Sequence, residues 1–342
     1  MRRALAALCL LLAACAPQGG NGNSDGPAPG PLLPQLAARQ DRVERLRLRG
    51  AGGRVLVSLH RERGEWRLAE RADASADAAR IAQYLLVLAQ ARRIEPKTES
   101  PAMYPRLGVE DVADVDAGGH ELELAGQGVD ARIVLGKAHR ATGHSYARLH
   151  GQKRSWLLDV DAGFDPDPRA WLQRRLLEVP LARVERVRIR PREGGDFALS
   201  RRDDRFRPED APAVAVGDSL AGDRIAAALD GFEVEDAGTD RGRPASRALE
   251  FELVDGATLG IEVWRDGPRD WARISARLDE ARAQAWARQA GKPGLPAAAR
   301  AQVAEWNRRF AGRSYLLPQE LASTLMLDYE RILRGEPAVA AP

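Results

Sequence analysis

The chain has 342 residues, and its 52 lysines and arginines against 49 aspartates and glutamates leave a formal charge of +3, without the concentrated basic patch that marks a nucleic-acid binder. Both cysteines, Cys9 and Cys15, lie at the extreme N-terminus, so the folded part has no disulfide, no thiol nucleophile, no haem attachment and no cysteine-bound zinc. All but four of the basic residues are arginine, which in an alanine-rich chain reflects GC-rich coding and carries no functional message.

Arg2 and Arg3 precede an apolar run from Ala4 to Ala14, the n-region and h-region of a secretory signal. The run is too short for a bilayer, which needs about 20 apolar residues. It closes in "LAAC", Leu12–Cys15, a match to the bacterial lipobox that predicts removal of residues 1–14 and acylation of Cys15. An ordinary secretory signal cleaved nearby is the alternative. More than one acyl chain makes such anchoring stable. Ala16 follows the cysteine, where an aspartate would resemble an inner-membrane retention signal, so the periplasmic face of the outer membrane is favoured. Residues 15–34, rich in glycine, proline and small polar groups, read as a flexible tether.

A first module is predicted over 35–179. "RLRLR" alternates Leu46 and Leu48 with Arg45, Arg47 and Arg49, the period of a half-buried strand. "GAGG" turns the chain into "RVLVSLHRE", and "RGE" turns it into "EWRLAE". A strand, not a helix, follows these glycines, so they make a turn and no phosphate loop. Residues 77–93 place Ile81, Leu85 and Leu88 on one helical face. After the turn-rich "MYPRLGVEDV" come four strand candidates, "HELELA", "ARIVLG", "SYARLH" and "SWLLD", and Asp167 with Pro168 is expected to cap a closing helix, "RAWLQRRLLEV".

The pattern then returns over 180–335. "VERLRLR" from Val43 comes back as "VERVRIR" from Val184, "LELEL"-type alternation as "LEFEL", "SYARLH" as "DWARIS", and "RSWLL" at Arg154 as "RSYLL" at Arg313. Phe206 falls one residue short of the slot that corresponds to Trp66. The last pair is separated by a longer interval than the first, so the second copy holds an insertion, 276–312, which reads as two helices broken by "GKPGLP". Residues 336–342 form a tail. The predicted fold is α+β: two tandem related modules, each an antiparallel sheet of short strands covered by a helix, packed as a compact pair.

The chain resembles a family of bacterial envelope proteins, domain-of-unknown-function family 4340. The resemblance is carried by the "VERLRLR" start, "GEWRLAER", "ARRIEPKT", "YPRLGVEDV" and the "RSWLLD...WLQRRLL" close, in that order, and covers roughly Leu33 to Arg334. It implies α+β modules in a periplasmic, membrane-attached setting, in company with ABC-type transport systems related to the gliding-motility exporter. It brings no catalytic residues, and "GKPGLP" departs from its plainest members.

Reactive constellations are few. Asp159, Asp161, Asp165 and Asp167 form the densest carboxylate cluster, but the sixth and twelfth positions from Asp159 are Phe164 and Ala170, where a calcium loop needs glycine and glutamate; a turn and helix cap is the simpler reading. His139 and His144 flank a hairpin tip and make a weak metal pair. "GHSYA" lacks the last glycine and the following helix of a nucleophile elbow, and Glu121 with Glu123 reads as a solvated strand face. In the insertion, Trp286, Trp306 and Phe310 are candidate partner anchors, unless they pack the insertion onto its own module.

These observations predict a non-catalytic, lipid-anchored envelope protein with no cofactor, a membrane contact through its anchor and a protein partner, as an accessory of an ABC-type transport or surface-assembly system. A binder of small ligands or glycans in the cleft between the modules is the alternative. An envelope hydrolase would need an acid–base pair that no motif supplies.

Overall fold

The computed structural model describes residues 29–202, 204–211 and 220–334. The signal segment, Cys15, most of the tether and the 336–342 tail lie outside the described residues. Within them the chain forms seven α-helices and three antiparallel sheets. No described helix is long and apolar enough to cross a membrane.

The first sheet has ten strands: β1 (Gly30–Pro31), β2 (Val43–Arg49), β3 (Val55–Glu62), β4 (Glu65–Leu68), β5 (Ala74–Ser75), β6 (Arg92–Pro96), β7 (His120–Gly126), β8 (Val129–Ala138), β9 (Ser145–Leu149) and β10 (Ser155–Leu158). Their spatial order is β1-β6-β10-β9-β8-β7-β2-β3-β4-β5. Helix α1 (Ala78–Gln90) covers one face. Asp77 starts it by accepting the Arg80 backbone N–H through its side chain, the usual N-cap arrangement. Ile81, Leu85 and Leu88 then bury with Leu46, Leu48, Leu59, Leu122 and Leu124. Each such fully buried side chain contributes roughly 1.5–3 kcal/mol.

Eight strands build the other large sheet: β12 (Val184–Pro191), β13 (Phe197–Arg202), β14 (Arg205–Pro208), β16 (Asp236–Thr239), β17 (Arg247–Leu253), β18 (Ala257–Asp266), β19 (Arg269–Leu278) and β20 (Arg313–Leu316). The order β16-β20-β19-β18-β17-β12-β13-β14 follows that of β6-β10-β9-β8-β7-β2-β3-β4 strand for strand. Registers agree in detail. Arg61 pairs with Trp66 and Arg201 with Phe206, each guanidinium lying over the ring. Phe206 therefore does occupy the Trp66 position; the missing residue lies in the preceding hairpin, where Val187 faces Leu199 and Leu46 faces Leu59.

The helical cover differs. Here α3 (Ala221–Ala226) is short, and α4 (Glu280–Gln289) and α5 (Leu295–Phe310) of the insertion supply the longer helices. Val303, Trp306 and Phe310 enter the core. The neighbouring β20 pairs with β19 only at Trp271 and Ala272; farther along, the Asn307 side chain accepts from the Ala276 N–H and donates to its carbonyl, as a strand neighbour would. Two further helices, α6 (Gln319–Leu325) and α7 (Tyr329–Arg334), follow. One hydrophobic cluster runs through both sheets, and the Arg71–Asp236 ion pair at 2.5 Å joins them at the surface.

Two expectations need correction. Ordered structure starts earlier than residue 35: β1 pairs with β6, and Leu32 and Leu33 are buried, because two adjacent leucines give the end of the tether apolar surface to place. The helix expected after Asp167 is one 3-10 turn, Pro168–Trp171, followed by β11 (Arg175–Glu178). Trp171 stacks on Phe164 and meets Tyr84 edge-on, and Leu177 pairs across to Phe232 of β15 (Asp230–Glu233). Tertiary contacts thus override helical periodicity in a stretch only about ten residues long, too short to hold a helix unaided.

Candidate functional site

The alternation that buries the leucines of the first sheet sends its charges to the opposite face. Arg47 of β2 stands beside Glu123 of β7, and Glu123 beside Arg132 of β8. Arg148 and His150 continue the row at β9 and its end. Over this face lies the connection from Lys97 to Gly119, which holds helix α2 (Tyr104–Leu107). Tyr104, Val109 and Val134 form a small second core beneath it.

Glycine lets the connection lie flat. A Cβ on Gly136 would stand 2.3 Å from the Leu107 carbonyl oxygen, and one on Gly119 1.9 Å from that of Gly108. Arg148, only 4% exposed, fastens it: Nε donates to the Val109 carbonyl, and the terminal nitrogens donate to the Gln152 carbonyl and to the Asp111 carboxylate at 2.6 Å. Its guanidinium also lies over the Tyr104 ring. The Tyr104 hydroxyl donates to the Lys153 carbonyl at 2.5 Å, and burial raises its pKa above the ordinary value of 10.0.

Between this connection and the sheet opens a cleft of about 750 Å³. Its wall holds Glu121, 5% exposed, 2.5 Å from Nδ1 of His150. Its floor holds Glu123 with Arg49 at 3.3 Å and Arg132 at 3.8 Å; Arg47, 3.6 Å from Glu123, lines the adjoining hollow. A second hollow of about 420 Å³ shares Glu123 and Arg132 and continues toward Arg45 and Asp130. The two make one polar groove.

The corresponding face of the second sheet pairs its charges more closely, beside a hollow of about 510 Å³ lined by Arg186, Arg188, Arg190 and Glu209. Glu250 sits opposite Arg188 as Glu123 sits opposite Arg47. Arg277 grips it with both fork nitrogens at 3.0 Å, and Arg190 reaches it at 2.6 Å. Arg277 accordingly holds the Glu250 carboxyl below its usual range. Glu252 is paired with Arg188 and Arg282. The link between β16 and β17, residues 240–246, is too short to lie across the face.

The sequence candidates fall elsewhere. Asp159 accepts the Arg92 N–H, Asp161 the Ser145 hydroxyl and the Gly163 N–H, and Asp165 the Asp167 N–H; these carboxylates organise turns. His139 and His144 are joined backbone to backbone at 2.7 Å, while the His139 ring binds Thr142 and meets Tyr146 edge-on. Among the described residues, no three His, Cys, Asp or Glu side chains gather to hold a metal. Trp306 and Phe310 are 6% and 2% exposed, hence core residues and not surface anchors, while Trp286 is half-buried. At the junction of the sheets a hollow of about 700 Å³ is lined by Trp66, Ala79, Leu85, Gln173, Arg175 and Arg309.

The groove was not read from the sequence as a site. Its signal was present in the "RLRLR" and "HELEL" alternations, which fix two charged faces but not their adjacency. A family model described as Domain of unknown function (DUF4340) matches residues 66–250, more than half of the chain, and the chain belongs to that family. No curated protein and no solved structure matches it.

Proposed function

We propose that this DUF4340 member is a non-catalytic binding protein of the bacterial envelope. In this reading it is lipid-anchored through Cys15 and built from two tandem copies of one α+β module. The first copy serves recognition and the second is chiefly a scaffold. The observation that carries this reading is the contrast between two sheets of the same strand order: the first has a polar groove under the Lys97–Gly119 connection with its guanidiniums 3.3–3.8 Å from Glu123, while the second has no such cover and holds Glu250 at 2.6 and 3.0 Å. A role beside an ABC-type transport or surface-assembly complex rests on the family resemblance alone.

Crosslinking of the lipidated protein in intact cells tests it, with Cys15→Ser as the unanchored control. Capture of transport or assembly components that requires Cys15 is the expected result. An unchanged distribution of the Cys15→Ser protein between membrane and soluble fractions, with no partner captured, overturns the reading.

The hollow at the junction favours a second reading, a small-ligand binder between the two sheets. Arg175 and Arg309 offer charge there beside the apolar surface of Trp66 and Leu85. A ligand-dependent rise in Tm, lost in Arg309→Gln, supports it; no rise across envelope glycans and metabolites counts against it.

A further inference from the structure

Three guanidinium groups converge on one carboxylate in the floor of the first sheet's groove. Arg49, Arg47 and Arg132 stand 3.3, 3.6 and 3.8 Å from Glu123. In the second sheet the two guanidiniums that hold Glu250 come to 2.6 and 3.0 Å. The position of Arg132 is there taken by Gly260, since Glu123 pairs with Arg132 and Glu250 with Gly260. The first copy sets three guanidiniums on one carboxylate, while the second divides Arg188, Arg190 and Arg277 between Glu250 and Glu252. The nearest other acids do not complete these forks: Glu121 is engaged by His150 at 2.5 Å, and Asp130 is two pairs farther down β8, opposite Ala125.

A guanidinium carries five N–H donors in a planar fork, and a carboxylate satisfies two of them in the bidentate geometry. Glu123 has two oxygens for three forks, at distances longer than a good charge-assisted hydrogen bond, about 2.7–2.9 Å. Arg47 and Arg132 are 39% and 52% exposed at the side chain and line the groove, so donors that Glu123 leaves open are accessible there.

We propose that Arg47, Arg49 and Arg132 form an oxyanion subsite, which takes a carboxylate or phosphate group of a ligand lying in the groove. Glu123 spaces the three guanidiniums and keeps them from spreading into solvent. The ligand's oxyanion completes the forks that Glu123 leaves open. This deepens the reading of the groove as the recognition face and rests on it, but needs neither the anchor nor the transporter.

The test is calorimetric titration of the detergent-solubilised full chain at fixed ionic strength, with inorganic phosphate in one arm and glucuronate in the other. Saturable binding of at least one anion is expected, and the tighter of the two names the source of the oxyanion. Arg132→Gln should weaken binding about tenfold or more, while Arg277→Gln, in the second sheet, leaves it unchanged. No heat from either anion at tens of millimolar overturns the subsite, as does equal weakening by the two substitutions. Failure of titration with successful capture in cells removes the subsite and keeps the binding protein; successful titration with no capture does the reverse.

Discussion

Arg313 of β20 donates from Nε to the Ala72 carbonyl oxygen at 2.8 Å and from a terminal nitrogen to that of Asp73 at 2.9 Å, so a side chain of the second sheet holds the backbone of the first. Both acceptor residues have left-handed backbone, φ +54° and +53°, a conformation that non-glycine residues seldom adopt. Arg154, at the matching position in "RSWLL", instead pairs with Glu99 of the Lys97–Gly119 connection. An arginine at the same place in the strand order thus serves its own sheet's surroundings in one case and the junction in the other.

Arg313→Ala should lower stability by about 2 kcal/mol, since two charge-assisted bonds are lost and two strained carbonyls lose their donor. Arg154→Ala, whose partner is half exposed, should cost less than about 1 kcal/mol. Urea unfolding followed by tryptophan fluorescence measures both. Equal losses would show that Arg313 does not hold the junction.

Much of this was legible in advance, and the reason is periodicity. Strands β2, β3, β7, β8 and β9 follow from two-residue alternation, β10 from a short apolar run, and α1 from the spacing of Ile81, Leu85 and Leu88. The return of "VERLRLR" and "RSWLL" predicts further strands after residue 180, and a second large sheet is built there. Illegible were features that depend on neighbours distant in sequence. The 175–178 strand exists because Phe232 lies beside it, and the groove exists because Arg132 and Glu123 meet across a hairpin while residues 97–119 return over them.

The floor of the groove gives a second prediction. Arg148→Met removes the donors to the Val109 and Gln152 carbonyls and the pair with Asp111. Asp111 is 63% exposed and finds water, so the loss falls on the two carbonyls and should be about 2 kcal/mol. The Lys97–Gly119 connection should become the first site of limited proteolysis. Gly136→Ala, which drives a Cβ against the Leu107 carbonyl, should have the same proteolytic effect at about 1–3 kcal/mol. Cleavage that begins elsewhere in both variants would refute the role of Arg148 and Gly136 as fastenings.

The insertion's aromatic residues separate by burial. Trp306→Ala and Phe310→Ala each open a cavity in the shared core and should cost about 3–5 kcal/mol. Trp286→Ala, at a half-buried position outside that cluster, should cost about 1 kcal/mol. Differential scanning calorimetry orders the three. If Trp286→Ala proved as destabilising as Trp306→Ala, the α4 face would belong to the core.

Alkaline pH should unfold the protein through its buried tyrosines. Burial pushes the Tyr315 phenol up to about 12, and burial, with Asp161 adding to it, drives Tyr84 well above its ordinary value of 10.0. In both, the folded state holds the proton more tightly than the unfolded state does. The stabilisation is therefore complete below pH 10 and is lost at higher pH, for Tyr315 as pH rises through about 12. For Tyr315 that amounts to roughly 3 kcal/mol. Phenolate absorbance and near-UV circular dichroism, followed together from pH 9 upward, should change in one concerted step. Tyr84→Phe removes one of these protons at the expense of the bond to the Ala162 carbonyl, so it should be less stable at pH 7 yet lose less on going from pH 10 to 12. Phenolate formation by all tyrosines near pH 10 in a chain that stays folded would contradict the burial of these two rings.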